Sequence, residues 1–111
     1  MKLTDLSPRW IERDGEKVLF IFKSPTDPTG KRWLSCKRVT MDVLDQHELI
    51  LAACPDMNER DVAGVAPSRE GFAWTINGDD FATMTVTPSI DASPSGDWHG
   101  FITNGEIVGG I

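Results

Sequence analysis

The sequence predicts an α+β domain that is mainly β, made of antiparallel hairpins with one short helix. Three observations carry this. Both ends of the chain hold apolar blocks or apolar–polar alternation of strand length. Asp14-Gly15, Asn77-Gly78 and Asn104-Gly105 each sit between such stretches, and these dipeptides suit the two positive-φ positions of a tight hairpin turn. Only the middle of the chain, from Met41 to Ala53, spaces apolar residues roughly as a helix does. With 111 residues, 40% of them apolar and 25% charged, the chain suits one self-sufficient core and reads as a single domain over 1–111.

The first hairpin joins residues 9–13 to residues 16–23 across Asp14-Gly15. In the second of these strands Val18, Phe20 and Phe22 share one face and Leu19 and Ile21 the other, so it is expected to be central and buried on both sides. Residues 24–30 hold two prolines, a glycine and an aspartate, which is loop chemistry, and a third strand follows over 32–39. The helix is expected over 41–53, with Met41, Leu44, Leu51 and Ala52 as its apolar positions and Asp45 and Glu48 placed like a capping box. Residues 56–71 read as a long surface loop. A second hairpin spans 72–76 and 81–86, with Asn77-Gly78 as its turn. A link over 87–96 leads to a third hairpin, 98–103 and 106–108, around Asn104-Gly105. The expected core centres on Val18, Phe20, Phe22, Trp74, Met84, Val86 and Phe101.

A net charge of −6 disfavours a phosphate backbone as direct partner, because that affinity comes from clustered Lys and Arg. No window approaches the length of a membrane span, and no secretory pattern opens the chain, so a cytoplasmic protein is expected. Cys36 and Cys54 lack metal-motif spacing and read as buried thiols. The catalytic inventory is thin: there is no Gly-rich phosphate loop, no nucleophile elbow and no paired-His zinc-protease motif. His47 sits in the helix and reads as solvated or capping. His99 is two residues from Asp97, so on a strand both point from one face, either as metal ligands or as an ordinary polar patch. Trp98 and Asn104, beside this pair and at the hairpin tip, are candidates for an interaction surface.

Thr87-Pro88-Ser89-Ile90-Asp91-Ala92-Ser93, then Gly96 and Trp98-His99-Gly100-Phe101-Ile102-Thr103-Asn104-Gly105-Glu106, resembles the C-terminal signature of a family of small phage and prophage proteins of unknown function, some labelled ammonia monooxygenase. The resemblance covers 84–108 well and 8–23 less closely. It implies a four-ligand zinc site, a Cys-Pro-x-Cys knuckle and a His-Trp-His, which in this chain correspond to Ser24-Pro25-Thr26-Asp27 and Asp97-Trp98-His99. Three of the four ligands are thereby replaced, leaving Asp27, Asp97 and His99 as weak candidates. Hydrogen bonds from Asp27 or Asp97 to loop N–H groups would then stand in for a lost metal.

The expected function is that of a phage- or prophage-type accessory protein, a non-catalytic protein-binding domain with a degenerate zinc site and no bound cofactor, acting in a host cytoplasm. The alternative is a metal-dependent hydrolase using Asp27, Asp97 and His99.

Overall fold

The computed structural model describes every residue except 28, 67, 69, 93–97 and 110–111. A 3-10 turn, Leu3–Leu6, precedes β1 (Arg9–Arg13), β2 (Glu16–Lys23) and β3 (Trp33–Lys37). Helices α1 (Val43–Ala53) and α2 (Glu59–Ala63) follow, then β4 (Val65–Ala66), β5 (Thr75–Asn77), β6 (Thr85–Asp91), β7 (His99–Thr103) and β8 (Glu106–Gly109). The strands form two four-stranded sheets, β1–β4 and β5–β8, each in chain order. All pairs are antiparallel except β3 with β4, and the helices supply the crossover that a parallel pair needs. Neither helix is long and apolar enough to cross a membrane.

The two sheets and the helices stack as three layers, and β2 lies in the middle of them. Phe20 and Phe22 face the second sheet, in a core shared with Leu34, Trp74, Val86, Ile90, Trp98 and Ile102. Leu19 and Ile21 face the helices, with Ile11, Ile50, Val62 and Val65. Val18 departs from the expected alternation and joins the helical side. The reason is a bulge: Ile11 pairs with Leu19 and Glu12 with Lys17, so Val18 is the extra residue with no partner on β1.

The first and third hairpins have the expected turns. Asp14 (φ 54) with Gly15 (φ 81), and Asn104 (φ 49) with Gly105 (φ 76), provide the successive left-handed residues that let a two-residue loop follow the strands' twist. Asn77-Gly78 does not make such a turn, because Asn77 still belongs to β5 and the chain crosses to β6 through 78–84. Asp80 organises that connection, its carbonyl accepting from Thr83 (3.1 Å) and Met84 (2.9 Å) and its carboxylate from Ala82 (2.9 Å). Phe81 folds inward there and stacks on Trp10 at 5.4 Å. β6 in turn extends to Asp91, through much of what reads in sequence as a link.

The helical layer corrects the sequence reading in three places. Asp42, not Asp45, caps α1, accepting from the Asp45 N–H at 2.7 Å. Leu44 and Leu51 are exposed, and the helix buries Gln46 and Ile50, one turn apart, instead. Gln46 is admitted to the interior because its amide is used: it donates to the Ser68 carbonyl (2.9 Å) and accepts from the Ser68 N–H (3.0 Å), while the Ser35 hydroxyl lies 3.3 Å away. The expected loop over 56–71 contains α2 and β4, with Asn58 and Asp61 forming a reciprocal cap and Val62 and Val65 buried.

Two local devices tie down the remaining chain. Asp27 accepts from the backbone N–H groups of Thr29 (3.0 Å), Lys31 (2.9 Å) and Arg32 (2.8 Å) and from the Thr29 hydroxyl (2.7 Å), so one carboxylate closes the β2–β3 loop. At the other end, Trp98 is fully buried beneath Gly100, and a Cβ at Gly100 would collide with the Trp98 ring and the Val108 carbonyl.

Gly100→Ala is expected to cost about 1–3 kcal/mol, the usual penalty for overpacking, read as a shift in the urea midpoint with unchanged slope. Asp27 gives a pH test. Its hydrogen bonds, the Thr29 hydroxyl first, pull its pKa from 3.8 to about 2. Its contribution is therefore complete above pH 3.8 and lost as pH falls towards about 2. Asp27→Asn should flatten the acid limb of the stability profile over that window, and an unchanged limb would show that the loop contacts carry no net free energy.

Candidate functional site

The outer face of the second sheet, away from both cores, gathers a hydroxyl, an imidazole and a carboxylate. Asp91 near the end of β6 and His99 at the start of β7 are register partners. The neighbouring Ala92 N–H donates to the Trp98 carbonyl at 2.9 Å, which makes Ala92 and Trp98 a hydrogen-bonded pair. Asp91 and His99 are then the alternate, non-hydrogen-bonded pair, the arrangement in which facing side chains approach most closely. Ser89 precedes Asp91 by two residues, and Ile90 between them points into the core at 3% exposure, so Ser89 and Asp91 share the outer face. Ser89 and His99 are half-buried and Asp91 is exposed.

The backbone at Ser89 is held from both sides. On one side the register shifts between Val86 and Ile90, so that residues 87–89 of β6 stand against Phe101 alone and Ser89 lies within that bulged stretch. On the other side β5 begins only at Thr75, opposite Thr87, and the Trp74 indole N–H donates to the Ser89 carbonyl at 3.3 Å. A hydroxyl nucleophile, an imidazole and a carboxylate beside that imidazole are the parts that nucleophilic acyl transfer needs.

No other described serine lies beside a histidine partner pair on this sheet. Ser7 is exposed at the end of the 3-10 turn before β1. Ser24, Ser35 and Ser68 are buried, and the last two are engaged with each other and with Gln46. His47, the second histidine, lies on α1, beyond the first sheet, with no hydrogen-bond partner for its Nε2 among the described residues. A cleft of about 310 Å³ beside the β1–β2 turn is lined by Lys17, Arg38 and Asp79, but these charges are spent on one another, Asp79 lying 3.8 Å from Lys17 and 3.0 Å from Arg38.

The residues singled out from sequence fare unevenly. His99 belongs to the outer patch. Asp27 sits in the β2–β3 loop with its oxygens committed to Thr29, Lys31 and Arg32, and Asp97 lies outside the described residues. Among the described residues no three His, Cys, Asp or Glu side chains gather as a metal site, which corrects the degenerate zinc site. Trp98 offers no interaction surface because it is fully buried, meeting Phe22 edge-on at 6.2 Å. Asn104 is exposed, but its place is set by the turn, its N–H donating to the Thr85 hydroxyl at 3.0 Å. Phe101, expected in the core, is 47% exposed on the outer face. Ser89 and Asp91 were missed because residues 87–96 read as a link. The available signal was the polar–apolar–polar order of Ser89-Ile90-Asp91, which on a strand sends both polar groups to one side.

A family model described as "Bacterial ubiquitination-like system serine protease (BubE)" matches residues 26–109. No curated protein and no solved structure matches the chain. The match includes β6, β7 and β8, and its description names a bacterial ubiquitination-like system, which corrects the expected phage and prophage family. It also overturns the non-catalytic accessory role, since the family is described as a serine protease. The chain belongs to the BubE family of bacterial ubiquitination-like system serine proteases.

Proposed function

We propose that this chain is a serine protease of a bacterial ubiquitination-like system, working in the cytoplasm, with Ser89 as nucleophile, His99 as general base and Asp91 as the carboxylate that orients His99. The supporting observation is the register of β6 and β7, in which His99 faces Asp91 on the surface that also carries Ser89. The reading assigns no cofactor.

In the acylation step the Ser89 hydroxyl oxygen attacks the scissile carbonyl carbon as His99 takes the hydroxyl proton. The C–N bond then breaks, His99 returns that proton to the leaving nitrogen, and an amine departs. Water next attacks the acyl-serine, with His99 taking one of its protons and passing it back to the Ser89 oxygen. The products are a carboxylic acid and an amine, and the enzyme is unchanged. Asp91 fixes the imidazole tautomer and stabilises its charged form between steps. Trp74 is a positioning residue, since its indole N–H holds the carbonyl of Ser89 itself.

The substrate class follows from the shape of the site. The open face of the sheet gives an extended, flexible segment room to lie across the patch. The C-terminal tail of a ubiquitin-like protein, extended by further residues or joined to another chain, is such a segment.

The test is cleavage of a ubiquitin-like protein from a bacterial ubiquitination-like system that carries a short C-terminal extension, followed by intact mass. Ser89→Ala and His99→Ala are each expected to lower kcat/KM by about 10³-fold or more, and Asp91→Asn by about 10²-fold or more. Each variant is expected to keep the fold, checked by an unchanged circular-dichroism spectrum and a single cooperative urea transition. Full activity in Ser89→Ala would overturn the assignment.

A further inference from the structure

The outer face of the second sheet is polar over most of its area, with Thr75, Thr87, Thr103 and Glu106 all exposed. Phe101 and Val108 break that pattern. They are register partners on β7 and β8, and each is 47% exposed. Their neighbours along the strands, Ile102 and Ile107, take the inward positions, so the two apolar side chains stand together on the solvent side. Phe101 lies two residues from His99 on the same face, a separation of about 7 Å, and opposite the bulged stretch that carries Ser89.

The direction of the reaction decides what this pair touches. His99 must reach the leaving nitrogen, so the leaving group lies at the Asp91–His99 end of the patch. The acyl part of the substrate then extends the other way from Ser89, over Phe101 and Val108. We propose that Phe101 and Val108 form the acyl-side specificity subsite, which selects an extended substrate with an apolar side chain at the residue supplying the scissile carbonyl. This rests on the assignment of Ser89 and His99 above.

The probes are p-nitrophenyl acetate, butyrate and hexanoate, with Ser89→Ala as the blank. Wild-type kcat/KM is expected to rise roughly twofold per added methylene, so by more than about tenfold from acetate to hexanoate, below the limit for full burial because the pair is open on one side. In Phe101→Thr and in Val108→Thr the hexanoate-to-acetate ratio should fall towards about 2. Val108→Thr is isosteric at an exposed strand position, which keeps the test usable if the Phe101 variant does not fold. Ser89-dependent hydrolysis with a flat chain-length profile would overturn the subsite and leave the catalytic assignment standing. A steep profile unchanged in both variants would place the subsite elsewhere. Absence of Ser89-dependent hydrolysis of every ester would overturn both.

Discussion

The burial of Trp98 beneath Gly100 sets the side on which every residue of β7 projects. Sealing an indole ring from water contributes about 4–6 kcal/mol at the usual area coefficient, and it is possible here only because position 100 has no Cβ. With Trp98, Gly100 and Ile102 inward, His99, Phe101 and Thr103 must point outward. Pairing transmits the same parity to β6, where Val86 and Ile90 are inward and Ser89 and Asp91 outward. A slip of one residue would invert both rows at once, so the apolar core that stabilises the sheet also assembles the polar patch on its far side.

Much of the fold was legible because its signals are local. Asp14-Gly15 and Asn104-Gly105 act through backbone freedom that two adjacent residues supply, and the doubly apolar character of β2 is written in its own eight residues. What failed depended on distant partners. Gln46 reads as a solvated helix position until Ser35 and Ser68 arrive to satisfy its amide. Asn77-Gly78 reads as a hairpin turn, yet Phe81 is worth more packed against Trp10 and Phe20, and the connection lengthens to let it in. Val18 follows the alternation rule in sequence and leaves it in the sheet because the shorter β1 offers it no partner.

The site was half legible for a similar reason. His99 stands out because histidine is rare in this chain, and the nearest acid to it in sequence is Asp97. The partner that the sheet supplies is Asp91, eight residues away and across a strand pair, and pairing register is not written in either strand alone. Serine is common and carries no spacing motif here, so Ser89 acquires meaning only once the buried serines are set aside and the outer face is seen to hold His99. The string from Thr87 to Glu106 lies within the residues that the family model matches, and that family is described by serine protease chemistry where metal ligation was expected.

The measurement that tests this account most directly is covalent labelling of the intact protein by a fluorophosphonate, mapped by tandem mass spectrometry. One adduct per chain on the Ser89 oxygen, lost when His99 is replaced by alanine, is the result the account requires. Labelling of any other serine, or labelling of Ser89 that is indifferent to His99, would contradict it.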